Sequence, residues 1–199
     1  ISIGQWFFIT IHRDNGSLKL FVNGPQDGST YSDSTNYVAA GSGNFMIGKN
    51  NGGANYNMEG YLSDIRVTHG SALDGTIVPT APLSSSNTEL HIKGTDASII
   101  DKSQNVNLAL YGNTTGSTTT NFTGAKSIYF DGTSNTYVEV PEIYASRWTG
   151  VWTLEFWIRT SSSIVNDFIL GRANSNGVLH ILTMNSGDRL RVAFWGGPN

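Results

Sequence analysis

Cysteine is absent from this chain, and that excludes disulfide staples, thiolate nucleophiles and thiol-ligated metal together. The redox state of its compartment is left open. Charge is scarce: Asp, Glu, Lys and Arg make up 14% of residues and the formal net charge is -3. No basic stripe exists to neutralise nucleic-acid phosphates or anionic lipid heads, so nucleic acid is not expected as a partner. Long apolar runs are also missing. The strongest, Trp6 to Ile11, falls far short of the ~20 residues a membrane helix needs, so membrane insertion is not expected. No leader peptide is visible, but in a chain beginning at Ile1 this says nothing about secretion. A long helical pattern is lacking throughout.

What is present points to sheet. A chain of 199 residues with 38% hydrophobic side chains can bury a core, either as one large sandwich or as two small domains. Trp152, Leu154, Phe156 and Ile158 alternate with Thr153, Glu155, Trp157 and Arg159, a period of two that marks a core strand. Burying its apolar face contributes roughly 1.5–3 kcal/mol per large side chain before entropy is counted. Comparable strands are expected at 6–13, 18–23, 44–48, 60–68, 89–92, 127–130, 136–140, 168–170, 178–183 and 190–195. Between the first two, Asp14-Asn15-Gly16-Ser17 supplies the residues that a tight hairpin turn favours. Many short strands with regular turns predict an all-β antiparallel sandwich of jelly-roll form, with few or no helices. Residues 79–88, with two prolines and a Ser/Asn/Thr tail, read as an extended connector. The 23 glycines and dense Ser, Thr and Asn suit turns and threonine-rich strands, a composition found in extracellular fibres and phage tail proteins. Asn15, Asn113 and Asn121 each begin an N-x-[ST] triplet, a pattern that chance supplies often in such a chain.

The segment WFFITIHRDNGSLKLFVNG resembles the hallmark hairpin of laminin-G-like and pentraxin-like modules of the concanavalin A-like superfamily. FMIGKN followed by GYLSDIRVTHGSAL is similar to the closing strands of those modules, which then end at a Pro-containing linker. TELHIKGTDASIIDKSQN, SIYFDGTSNTYVEVP and TLEFWIRT are similar to their opening strands. The order is therefore permuted. The resemblance implies that residues 1–84 are the C-terminal half of one sandwich, 85–88 the end of a linker, and 89–199 the N-terminal half of the following sandwich or of the same one. The run Leu190 to Trp195 and its polar turn also suggest that the chain's two ends are neighbouring pieces of one sheet. If so, 6–13 and 190–195 would be open edges completed by a neighbouring copy. Two departures from the family pattern, Asn135 after the Phe-Asp-Gly turn and Ser63-Asp64 in the closing strand, bear on any inherited metal site.

No catalytic constellation is expected. Superfamily glycoside hydrolases cluster carboxylates on one strand face, whereas the matching strand here offers Glu155 alone, read as an outward residue pairing with Arg159 or across the sheet. His12, His69, His91 and His180 show no ligand-pair spacing and are read as structural, and no base–nucleophile pair emerges. Residues 48–53 lack the order and following helix of a phosphate-binding loop. Calcium is the one cofactor the resemblance implies, with Asp131 and Asp64 as candidates. Alternatively Asp131 braces its turn and Asp64 pairs with Arg66. For sugars, the resemblance directs attention to exposed aromatics beside amides: Asn50, Asn51, Tyr56 and Trp148 first, with Tyr31, Tyr144 and Trp195 also in loops or at strand ends. The expected function is a non-catalytic repeating structural or adhesive module of an extracellular filament or phage fibre, its partners being neighbouring copies. The alternative is a carbohydrate-binding module of a larger secreted or cell-surface protein, with cell-surface glycans as partners. Either places the chain outside the cell or on a virion surface.

Overall fold

A computed structural model describes residues 1–33, 45–49, 57–103, 106–140, 150–162, 168–172, 178–185 and 189–195. The described chain is all-β, as the alternation predicts. In order its strands are β1 (Phe7–Asp14), β2 (Ser17–Val22), β3 (Tyr31–Ser32), β4 (Phe45–Ile47), β5 (Glu59–His69), β6 (Leu90–Gly94), β7 (Ile99–Asp101) and β8 (Ala109–Tyr111). There follow β9 (Thr115–Thr120), β10 (Lys126–Asp131), β11 (Tyr137–Val140), β12 (Trp152–Thr160), β13 (Phe168–Arg172), β14 (Val178–Asn185) and β15 (Arg189–Trp195). They form two sheets. One runs β3-β2-β1-β12-β5-β10-β9, with β6 also on β5 and β7 on β6; the other runs β15-β14-β13-β4-β11-β8.

One core cluster joins the sheets. Ile9, Ile11, Leu62, Ile65, Ile128, Phe130, Leu154, Phe156 and Ile158 meet Phe45, Ile47, Val138, Val140, Ile169 and Leu170 from the smaller sheet. The alternating positions of each strand supply these residues, which is the arrangement a two-sheet sandwich requires. Asn15 (φ 47°) and Gly16 (φ 75°) take the two left-handed positions of the β1–β2 turn, the conformation that suits the right-handed twist of paired strands.

Three expectations change. First, β1 is interior, flanked by β2 and β12, whereas β15 closes the far end of the other sheet. The chain's two terminal strands are thus not neighbours in one sheet, and β1 has no open edge. Second, residues 79–88 are not a free connector: β5 and β6, which they join, are directly paired, Ile65 opposite Ile92 and Val67 opposite Leu90. Third, the outward face of β12 is buried. Thr153, Glu155 and Trp157 lie beneath the segment between β5 and β6, through Leu73 N–H to Thr153 Oγ1 (2.9 Å) and Leu83 packed with Trp6, Phe8 and Trp157. A second small apolar layer on that face makes this possible. The strands that sequence periodicity passes over, β3, β7, β8 and β9, are short or threonine-rich, and β3, β8 and β9 lie at sheet ends where little apolar alternation is needed.

Candidate functional site

The most constrained polar site lies where the larger sheet forks. Along one side of β5, residues 59–63 pair with β10 and residues 65–67 pair with β6, and Asp64 stands at the switch. On its other side β5 steps from Ser63 to Arg66 while β12 steps only from Trp157 to Glu155, so β5 carries an extra residue there. Asp64 absorbs the bulge with a left-handed backbone, φ 56°. This turns its carboxylate toward β6 and the strap over the sheet, and it is fully buried.

Each oxygen of Asp64 is engaged. Oδ1 accepts from His91 Nε2 at 2.7 Å and lies 3.1 Å from Lys93 Nζ, while Oδ2 accepts the Leu83 N–H at 2.6 Å. Burial works to raise the Asp64 carboxyl, but the bonds from His91, Leu83 and Lys93 outweigh it and hold the group below the usual carboxylate range. His91, also fully buried, turns its other nitrogen to the strap: Nδ1 lies 2.8 Å from Ser85 Oγ. Nε2 faces a carboxylate and so carries a proton, and in the neutral ring Nδ1 accepts from the serine. Arg66 pairs with Glu155 through Nε (2.8 Å) and the Nη2 group, and donates to Ser84 O at 3.2 Å. Burial raises the Glu155 carboxyl against the pull of Arg66. Lys93 Nζ also donates to Leu83 O at 3.1 Å. The strap is therefore fixed by a serine–histidine–aspartate relay that runs from the surface into the sheet, with two cations on the adjoining carbonyls.

One expected pairing is corrected here and another is narrowed. Asp64 does not pair with Arg66, because the bulge breaks the two-residue alternation and sends the side chains to different strands. Glu155 is buried, and of its two expected partners it takes the cross-strand one, Arg66. His91 is structural in the sense expected, but it stands between an acid and a hydroxyl. Ser85 and the relay were invisible in sequence, since 64, 85 and 91 share no spacing rule and meet only because β5 pairs with β6.

A second feature crosses the outer face of the same sheet. Tyr129 is opposite Tyr61, and Tyr61 opposite Arg159. The two tyrosine rings are 5.1 Å apart, the Arg159 guanidinium lies 5.6 Å from the Tyr61 ring, and Trp6 is 6.4 Å from it. Tyr61, Tyr129 and Arg159 are half-buried. Partial burial, then the neighbouring Tyr61, Glu59 and Asp131, raise the Tyr129 phenol, so it stays protonated and can donate. Phe122 stands 71% exposed beside Trp157, their centroids 5.7 Å apart. The smaller sheet has a shorter counterpart: Tyr111 stacks on Tyr137 at 4.3 Å with Lys49 over the Tyr137 ring.

Of the residues singled out in sequence, Asn50, Asn51, Tyr56, Tyr144 and Trp148 lie outside the described residues, as does the Trp195 side chain. Tyr31 is exposed on the end strand β3. Asp131 braces its turn: Oδ1 accepts Thr133 N–H (3.0 Å) and Oγ1–H (2.7 Å), and Oδ2 accepts from Asn113 Nδ2 (2.7 Å). Slight burial opposes these donors and that of Thr136, yet they hold the carboxyl well below its ordinary range. Of the two calcium candidates, Asp131 thus accepts hydrogen bonds at both oxygens, and Asp64 shares Oδ1 with the Lys93 ammonium. Asn121 is buried and donates to Ser63 Oγ at 3.3 Å, which leaves no room for a glycan there.

A laminin-G family model, described as Concanavalin A-like lectin/glucanases superfamily, matches residues 1–77. No curated protein and no solved structure matches the chain. Laminin-G-like domains are generally non-enzymatic binding modules and typically extracellular. No helix among the described residues is long and apolar enough to cross a membrane.

Proposed function

From the match of residues 1–77 to a family model of the concanavalin A-like lectin/glucanase superfamily, we propose that the chain is a saccharide-recognition module reading its ligand on the outer face of the larger sheet. The observation that carries this is the half-exposed row Tyr129–Tyr61–Arg159 with Trp6 behind it. Such a row offers ring faces for the apolar side of sugars, and one ring on each neighbouring strand sets a repeat of ~4.8 Å. Arg159 and the Tyr129 hydroxyl, with the Glu59 carboxylate near it, supply hydrogen bonds at the rim. Binding through these groups needs no metal. A glycan array with the whole chain should give hits that survive chelator. Tyr61→Ala and Tyr129→Ala should each weaken the best hit by about tenfold, in line with ~1 kcal/mol or more per stacked ring. Unchanged affinity in both variants would sink the assignment.

One observation favours a second reading, the structural or adhesive module of an extracellular filament or phage fibre. Among the described residues β15 pairs on one side only, with β14, leaving a seven-residue strand at the sheet's end. The permuted order of the strand motifs fits a tandem array in which such edges meet neighbouring copies, and weak contacts then multiply through valency. Concentration-dependent polymers in negative stain would support it; a strictly monomeric chain at high concentration would count against it.

A further inference from the structure

We propose that Ser85 is an activated nucleophile, an acyl-accepting serine that cleaves small, exposed carboxylic esters. This goes beyond the recognition role and does not depend on it. Ser85 is exposed on the strap, its hydroxyl 2.8 Å from Nδ1 of the fully buried His91, whose Nε2 is 2.7 Å from the fully buried Asp64. A serine at the surface, a histidine behind it and a carboxylate behind that is the order of parts an acyl-transfer site needs, here with the two ring nitrogens exchanged relative to the serine-protease triad. The histidine's backbone is held from further directions: its main-chain N–H donates to Asp101 Oδ1 (3.0 Å) and its carbonyl accepts Lys102 N–H (2.7 Å). The carboxylate is aimed by a left-handed bulge that a non-glycine residue adopts only at a cost, the kind of strain that gathers at working sites.

The strap around the serine is held by donors on its carbonyls. Arg66 and Lys93 sit on the carbonyls of Ser84 and Leu83, and Thr88 Oγ1 closes the turn by donating to Ser85 O at 2.8 Å. The Ser86 and Asn87 N–H groups at the tip of that turn make no hydrogen bond among the described residues. In the first step Ser85 Oγ attacks the ester carbonyl carbon while its proton passes to His91 Nδ1. The alcohol departs as the C–O bond breaks, taking that proton. Water then attacks the acyl-serine, gives its proton to His91 Nδ1, and the acid leaves as Ser85 Oγ regains a proton. The open setting suits short acyl groups rather than extended substrates.

The alternative is that the network merely pins the strap, in which case the serine is inert. The whole chain, treated with a fluorophosphonate probe and mapped by peptide mass spectrometry, should carry its adduct on Ser85 when native and lose it when denatured. Ser85→Ala should abolish the adduct and bring p-nitrophenyl acetate cleavage to the buffer rate while the chain still melts cooperatively. His91→Gln should slow labelling by about 100-fold. Should His91→Gln fail to fold, Ser85→Cys reads the same relay at an exposed position. Its alkylation by iodoacetamide should plateau below pH 7, whereas an unassisted thiol reacts as pH approaches ~8.5. A native chain with no adduct on Ser85, or a Ser85→Cys variant with the ordinary thiol profile, overturns the proposal.

Discussion

Asp64 holds a left-handed backbone at φ 56°, which costs a non-glycine residue on the order of 1–2 kcal/mol. Its carboxylate offsets that cost through three bonds, to His91, Lys93 and the Leu83 N–H. Because the folded carboxyl is held below the ~3.9 of an unfolded aspartate, the unfolded state takes up a proton first as pH falls. The stabilisation is therefore full above about pH 4 and is lost as pH drops through the folded value. Asp64→Asn should lower stability by about 3 kcal/mol at pH 7, since it leaves the Lys93 ammonium without its counter-charge and the His91 Nε2–H without its carboxylate acceptor. The gap to the native chain should narrow below about pH 4. Urea unfolding from pH 7 to pH 3 reads this directly, and a gap constant with pH would show that the charge is not what stabilises the site. The residue was nameable from sequence as a candidate, but its partner was not. Alternation puts 64 and 66 on one face, and only the bulge separates them.

The fork of the larger sheet sets the element scale. β6 can leave β5 beside β10 only because Gly94 lets the backbones approach: a Cβ there would lie 2.0 Å from Ser127 O. Gly94→Ala should lower stability by at least about 2 kcal/mol, roughly 4–8 °C in Tm for a chain of this size. A thermal melt within 1 °C of the native chain would mean that β6 does not approach β10 as described. A displaced β6 also withdraws His91 and Lys93 from Asp64, so labelling at Ser85 should fall in the same variant. Strand existence was legible wherever apolar alternation spans five or more residues, as in β1 and β12. The short polar strands and the fork were not, because pairing partners are decided by backbone approach across the sheet and leave no period in the chain.

At the scale of the molecule, residues before and after the strap interleave. β1 lies between β2 and β12, and β4 lies between β11 and β13. Neither side of the strap can bury its own core face without the other. Residues 1–84 produced alone should show no cooperative melt, and co-expression with 85–199 should restore one, as circular dichroism and co-purification would reveal. A cooperative transition in 1–84 alone would contradict the interleaving. Saccharide binding belongs to this scale too, since Tyr129, Tyr61 and Arg159 come from three strands that only the assembled sheet brings side by side.

By itself, the sequence determined the sheet class, the β1–β2 hairpin and a family resemblance over residues 1–77, because alternation, turn chemistry and strand motifs are local. It also determined what is missing: thiol chemistry, a basic surface and long apolar spans. Only the tertiary structure decided that β1 is interior, that the 79–88 segment is a strap, and that Asp64, Ser85 and His91 meet. The reason is physical: hydrogen-bonded neighbours in a sheet are far apart in the chain, and burial of the outward face of β12 depends on what folds over it.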